Sequence, residues 1–206
     1  MLCHGINMTT PESPRSREST AFGRGRQRTS KPARPESFRV IIADDDKGLR
    51  SGLKRILEDD GLEVVGSAGT GRQAVEMTVS LQPDVIVLNI RMPAMDGLAA
   101  LSAIQSAEPR TKVLIYTGYS TPEYLAEAIT NGAAGYLVKD RSPVHLPDAV
   151  RAVALGETIV DRDLLQSILT TVREKSPIRL PDDYTDSSGL KRLIREYKNT
   201  MRPRDS

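Results

Sequence analysis

The 206-residue chain holds one cysteine, Cys3, no tryptophan, two phenylalanines and two histidines. A single cysteine excludes an intramolecular disulfide framework, and no pair of His and Cys has metal-ligand spacing. A disulfide-stapled secreted domain and a zinc module are both ruled out, and the thiol count suits a reducing cytoplasm. No apolar run approaches the ~20 residues that span a bilayer, and the basic N-terminus has no apolar signal-peptide core, so neither membrane insertion nor secretion is expected. A strong excess of one charge is missing too, since 29 Lys/Arg against 27 Asp/Glu leave a net charge of +2. The charges are unevenly spread. Residues 1–36 carry seven Lys/Arg and three Glu, a surplus of +4, so the rest of the chain stands at −2.

With 38% hydrophobic residues, the chain supports one ordinary domain of ~100–150 residues plus appendages. Residues 1–36, rich in Ser, Thr, Pro, Gly and Arg, predict a disordered basic tail. Within it GRGRQR at 23–28 either is simply solvated or touches the phosphates of nucleic acid or anionic lipid.

From Ser37 the pattern becomes regular. FRVIIA (38–43) reads as a strand that runs into Asp44, Asp45 and Asp46. Leu49, Leu53, Ile56 and Leu57 recur at helical spacing up to Gly61. LEVVGSA (62–68) reads as a second strand, and Ala74, Val75, Met77 and Leu81 mark a helix ending before Pro83. The third strand, Val85 to Leu88, is apolar without alternation, as for a strand buried on both faces of a parallel sheet, and it stops on Asn89. Leu98, Leu101 and Ile104 predict the next helix, KVLIYT (112–117) a strand, and Tyr124, Leu125 and Ile129 a helix from Pro122. AGYLVK (134–139) reads as strand five, followed by a helix with Val150, Val153 and Leu155 that starts near Pro147, because proline is tolerated only in a first turn.

Strands alternating with helices over 38–156 predict an α/β fold, a flavodoxin-like doubly wound five-stranded parallel sheet of order 2-1-3-4-5 with a C-terminal helical extension. That order sets the ends of strands one and three side by side, with Asp44 and Asp45 next to Asn89. Thr117 ends strand four and Lys139 ends strand five, so four strand ends converge where ligands collect in open α/β sheets. Clustered carboxylates offer oxygen to a hard cation such as Mg²⁺, while a hydroxyl and an ammonium can bind a phosphoryl group. Asp also commonly caps a following helix.

The acids after strand one, PDVIVLNIRMPAMDG (83–97), Thr117 and GAAGYLVKD (132–140) together resemble the receiver domain of two-component response regulators, of LuxR/NarL type, over about 38–156. The resemblance implies a metal site of Asp44, Asp45, position 89 and the backbone carbonyl of Arg91, with Thr117, Tyr136 and Lys139 sensing the phosphoryl group. The family places its phosphoryl-accepting Asp where this chain has Asn89. A carboxamide is a very poor nucleophile toward phosphorus and brings one charge less, so phosphorylation is expected to be lost and any Mg²⁺ site to be weak. Asp84, at the start of the strand, and Asp96, in the loop turn, are poor replacements.

The same resemblance divides the chain into a receiver at 37–157, a linker helix at 158–174 and a tail at 175–206. Asp161 is placed to cap the linker helix carrying Leu164, Leu165, Ile168, Leu169 and Val172. The tail has a short amphipathic segment with Leu190, Leu193, Ile194 and Tyr197, and residues 173–206 lack the core of a helix-turn-helix output domain. Its Lys191, Arg192, Arg195 and Lys198 form a solvated face or meet DNA phosphates or an acidic partner.

The expectation is a non-enzymatic, cytoplasmic receiver of two-component signalling that acts through contacts with a sensor kinase-like protein or another regulator, as a homo- or heterodimer if it dimerises. A DNA-associated regulator, or the partner of a full-length LuxR-type protein, is the alternative. A hydrolase of the same architecture lacks a nucleophile.

Overall fold

The computed structural model describes residues 37–139, 146–176 and 186–201. The expectations for the tail at 1–36 and for the segment at 177–185 lie outside these residues. Strands β1 (Arg39–Ala43), β2 (Glu63–Ala68), β3 (Val85–Leu88), β4 (Lys112–Thr117) and β5 (Gly135–Val138) are parallel, in the order β2-β1-β3-β4-β5. They are linked through α1 (Lys47–Asp59), α2 (Gly71–Leu81), α3 (Gly97–Ala107) and α4 (Pro122–Thr130). Every residue of β3 is buried, which is why its sequence shows no alternation. Register pairs Ala43 of β1 with Leu88 of β3, so both strands end at the same height.

The sheet has one strand more than expected. Helix α5 (Leu146–Ala154) leads into β6 (Ile159–Val160), which pairs parallel with β5 through Gly135–Ile159 and Tyr136–Val160. Two residues are too short a run to show a period in sequence. Helix α5 begins beside Pro147, as expected, where no intrahelical amide donor is required.

Two cores flank the sheet. On one face Leu53 and Leu57 of α1 meet Ala149, Val150 and Val153 of α5. The other face carries α2, α3 and α4, together with α6 (Arg162–Lys175) and α7 (Ser187–Met201). Two of the apolar residues that the sequence assigned to helix stripes fall outside this pattern: Ile56 is 46% exposed at the margin of the α1 stripe, and Leu155 is 72% exposed just past the end of α5.

The extension is part of this second core. Asp161 caps α6 by accepting from the amides of Asp163 and Leu164, and Leu164, Ile168 and Val172 turn inward. Leu190, Leu193, Ile194 and Tyr197 of α7 are buried against α4 and α6. Among the described residues no helix is long and apolar enough to cross a membrane.

Candidate functional site

The loop after β1 carries three acids with three different environments. Asp46 caps α1, its side chain accepting from the Leu49 amide at 3.0 Å. Amide donation from Leu49 and then Gly48 holds its carboxyl below the usual range. Asp44 is buried. One of its carboxylate oxygens accepts from the Asp46 amide at 3.0 Å and the other from Lys139 Nζ at 2.5 Å. Its backbone carbonyl receives Arg50 Nη1 at 2.5 Å. Asp45 is exposed and points its Oδ1 at Asn89.

Asn89 follows β3 and is 6% exposed. Its Nδ2 donates to Asp45 Oδ1 at 3.2 Å and to the Arg91 carbonyl at 2.9 Å. Both neighbours are pure acceptors, so only this amide orientation makes two hydrogen bonds; the flipped one would set oxygen against oxygen. The backbone around the residue is tight. A Cβ on Gly97 would lie 2.0 Å from the Asn89 carbonyl oxygen, and one on Gly71 would lie 2.3 Å from the Met95 carbonyl oxygen. Glycine at these two helix starts lets α2 and α3 close on the loop. Ala94, in that loop, takes the left-handed φ of 65°.

Asp44, Asp45, Asn89, the Arg91 carbonyl and Lys139 thus form one hydrogen-bonded cluster. Thr117 and Tyr136 adjoin it through Tyr119. The buried Thr117 hydroxyl accepts from the Tyr119 amide at 3.4 Å, and Tyr136 donates its hydroxyl to the Tyr119 carbonyl at 2.9 Å. Burial raises the Tyr136 hydroxyl well above its ordinary pKa, with Tyr124 adding to the effect, so it stays protonated and donating. Asp96 caps α3 by accepting from the Ala99 amide, and Asp84 accepts from the Arg39 amide at the opposite end of the sheet. Neither reaches the cluster.

Sequence reasoning missed Arg50 and Tyr119. Arg50 lies one turn beyond the Asp46 cap, which is the signal that it can reach back to the β1 end. Tyr119 sits between the Arg91 guanidinium, 5.6 Å from its ring centre, and the ring of Tyr124 at 4.7 Å. A lone loop tyrosine gives no comparable warning.

Mg²⁺ requires a near-octahedral set of oxygens. Here the acceptors that a cation would use are already hydrogen-bonded by protein donors: Asp45 and the Arg91 carbonyl by the Asn89 amide, Asp44 by Lys139. Among the described residues no group of three or more His, Cys, Asp or Glu is placed to hold a metal. The donor set as it stands is closed on itself and fits the ion poorly.

Residues 40–151 match the family model of the response regulator receiver domain. The chain is 40% identical over 125 residues to the uncharacterized transcriptional regulatory protein YxjL of Bacillus subtilis, covering 60% of this chain and 57% of that protein. It is 38% identical over 168 residues to the oxygen regulatory protein NreC of Staphylococcus epidermidis, covering 81% of this chain and 76% of that one. The chain spans 57% to 62% of the length of YxjL and of two further NreC proteins. Among solved structures, a LuxR-family two-component response regulator from Aurantimonas sp. SI85-9A1 superposes with a TM-score of 0.62 at 27% identity, covering 65% of this chain and 96% of that one.

Proposed function

This chain belongs to the response regulator receiver family, in its LuxR/NarL branch, and from that premise we propose that it is a receiver that takes no phosphoryl group at Asn89 and acts by contact with other signalling proteins. The observation that carries the reading is the Asn89 amide, whose two N–H groups go to Asp45 and the Arg91 carbonyl. An acyl phosphate forms only when a carboxylate oxygen attacks phosphorus. The carboxamide nitrogen has its lone pair delocalised into the carbonyl and both protons committed, so position 89 supplies no nucleophile. Asp44 and Asp45 offer carboxylates, but one is held by Lys139 and the other by Asn89.

Receiver domains bind Mg²⁺ at the phosphorylation site, where the cation neutralises charge on the transferring group. In this chain Asp44, Asp45, the Arg91 carbonyl and the Asn89 side-chain oxygen are the groups to hold it, and each needs its present partner displaced or its amide turned. Weak binding follows. Lys139 instead supplies the positive charge beside Asp44 from within the chain, and the cluster holds one arrangement without cation or phosphate. The protein then works as a non-enzymatic regulator whose partners are a sensor kinase-like protein or another regulator.

Incubation with acetyl phosphate and Mg²⁺, followed by intact-mass measurement, tests this. The natural chain should keep its mass, and Asn89→Asp should gain one labile phosphoryl group. A phosphoryl gain on the natural chain would sink the reading.

A further inference from the structure

Two grooves adjoin at the N-terminal edge of the sheet, on the opposite side from Asn89. One, of about 390 Å³, lies between α4 and α7 and is lined by Ile129, Ile194 and three cations, Lys191, Arg195 and Lys198. The other, of about 230 Å³, runs past the starts of β4, β5 and β6 and takes in Lys112 and Glu157. Gly132 and Lys191 line both, so the two make one continuous trough.

From α7 to the start of β4 its charge is one-sided: Lys198, Arg195, Lys191 and Lys112 follow one another against Glu157, and only past Lys112 does a further groove add Asp84 and Glu108 beside Arg110. Among the described residues none of these four cations has a carboxylate at ion-pair distance; Lys198 meets only the Thr130 hydroxyl, at 3.4 Å. On the far face of the sheet the pattern differs: Lys54 pairs with Glu58, Arg55 with Asp59 and Arg151 with Asp60. The one acid of α7, Glu196, lies outside both groove linings and accepts from the Ser176 hydroxyl at 2.6 Å. A concave wall of cations focuses positive potential into the groove. Because Leu190, Leu193 and Ile194 anchor α7, the row is already in place before anything binds.

The shape and lining select the occupant. Among the described residues no aromatic side chain lines either groove, so these residues offer single-stranded nucleic acid no stacking platform. Helix α4, the other wall of the first groove, carries exposed Glu123 and Glu127 and no cation, and these acids oppose a broad polyanion such as duplex DNA. A single extended chain avoids them, and Ile129 and Ile194 offer apolar surface to one of its side chains. We propose that this trough binds an extended acidic segment of a partner protein, with carboxylates on the cation row and an apolar residue between α4 and α7. The proposal deepens the protein-contact reading above by naming the partner's chemistry, and it does not involve Asn89.

The test is fluorescence anisotropy on the full chain with a labelled octapeptide of six Asp/Glu and two Leu, beside the same peptide with Gln for every acid and a duplex oligonucleotide, at low salt of about 50 mM. The acidic peptide should bind saturably, and the Gln peptide at least tenfold more weakly. Lys191→Glu with Arg195→Glu should weaken the acidic peptide at least tenfold, whereas Arg55→Glu on α1 should change it less than twofold. The Gln peptide keeps the test decisive even if the double variant folds poorly. No binding of the acidic peptide, binding that ignores either charge change, or duplex DNA bound more tightly at the same residues would each overturn the proposal. These outcomes are separate from phosphoryl transfer to position 89, which bears only on the earlier reading.

Discussion

A methyl group at position 97 would have nowhere to go. The Asn89 carbonyl lies 2.0 Å from the place a Cβ would occupy, and the Gly97 amide donates to the Ile90 carbonyl at 2.6 Å. Backbone, not a flexible side chain, is the obstacle, so Gly97→Ala must push the start of α3 away from the β3 end. Overpacking of this kind costs roughly 1–3 kcal/mol, and urea unfolding of the variant should show a loss at the upper end of that range. The residue scale is also where the sequence spoke most clearly. Asn89 stands out from the sequence pattern alone, as a polar end to the all-apolar run from Val85 to Leu88. What the sequence did not contain is which way its amide faces. That depends on Asp45, 44 positions earlier, and on a carbonyl, a group every residue has.

At the scale of elements, α7 is the clearest case of a pattern that was legible and a placement that was not. The spacing of Leu190, Leu193, Ile194 and Tyr197 declares one apolar face, but an amphipathic helix does not say what it will cover. The structure lays this face on α4 and α6, with Tyr197 donating its hydroxyl to Glu123 Oε1 at 2.7 Å. Tyr197 is 4% exposed, so Tyr197→Phe keeps the packing and removes one hydrogen bond, worth about 1 kcal/mol. Amide hydrogen exchange should speed up in residues 187–201 of this variant while β1 and β3 keep their protection. Unchanged exchange in α7 would mean that the hydroxyl contributes nothing to docking. Strand β6 is the opposite case. Its two residues carry no pattern, and it exists because α5 returns the chain beside β5, where the Asp161 amide donates to the Tyr136 carbonyl at 2.8 Å.

At the scale of the whole molecule, the response to acid follows from carboxyls held in their charged form. Glu123 lies below its ordinary value of 4.5, chiefly because it accepts from Tyr197, and Asp46 lies below 3.8 through the amides of Leu49 and Gly48. A group lowered in the folded state binds protons more readily when unfolded. Its contribution is therefore complete above the ordinary value and is lost as pH falls through that value toward the lowered one. Both groups are exposed, so each effect is modest. Thermal unfolding followed from about pH 6 to about pH 3 should show falling stability, and Glu123→Gln should flatten part of that slope. A variant with the natural slope would remove Glu123 from the account.

The sequence by itself determined the alternation of strands and helices and the four polar strand ends, because burial on both faces leaves a continuous apolar run and each run must stop where the cleft begins, and the doubly wound alternation carried the order of the first five strands but not β6. It also determined that position 89 offers an amide and not a carboxylate. Only the tertiary structure decided that this amide hydrogen-bonds Asp45 and the Arg91 carbonyl, that Lys139 pairs with Asp44, and that α7 lies on α4 with a row of cations that meet no carboxylate among the described residues. Those outcomes depend on distances between residues up to 95 positions apart, set by how the layers close on one another, and no local period in a chain encodes them.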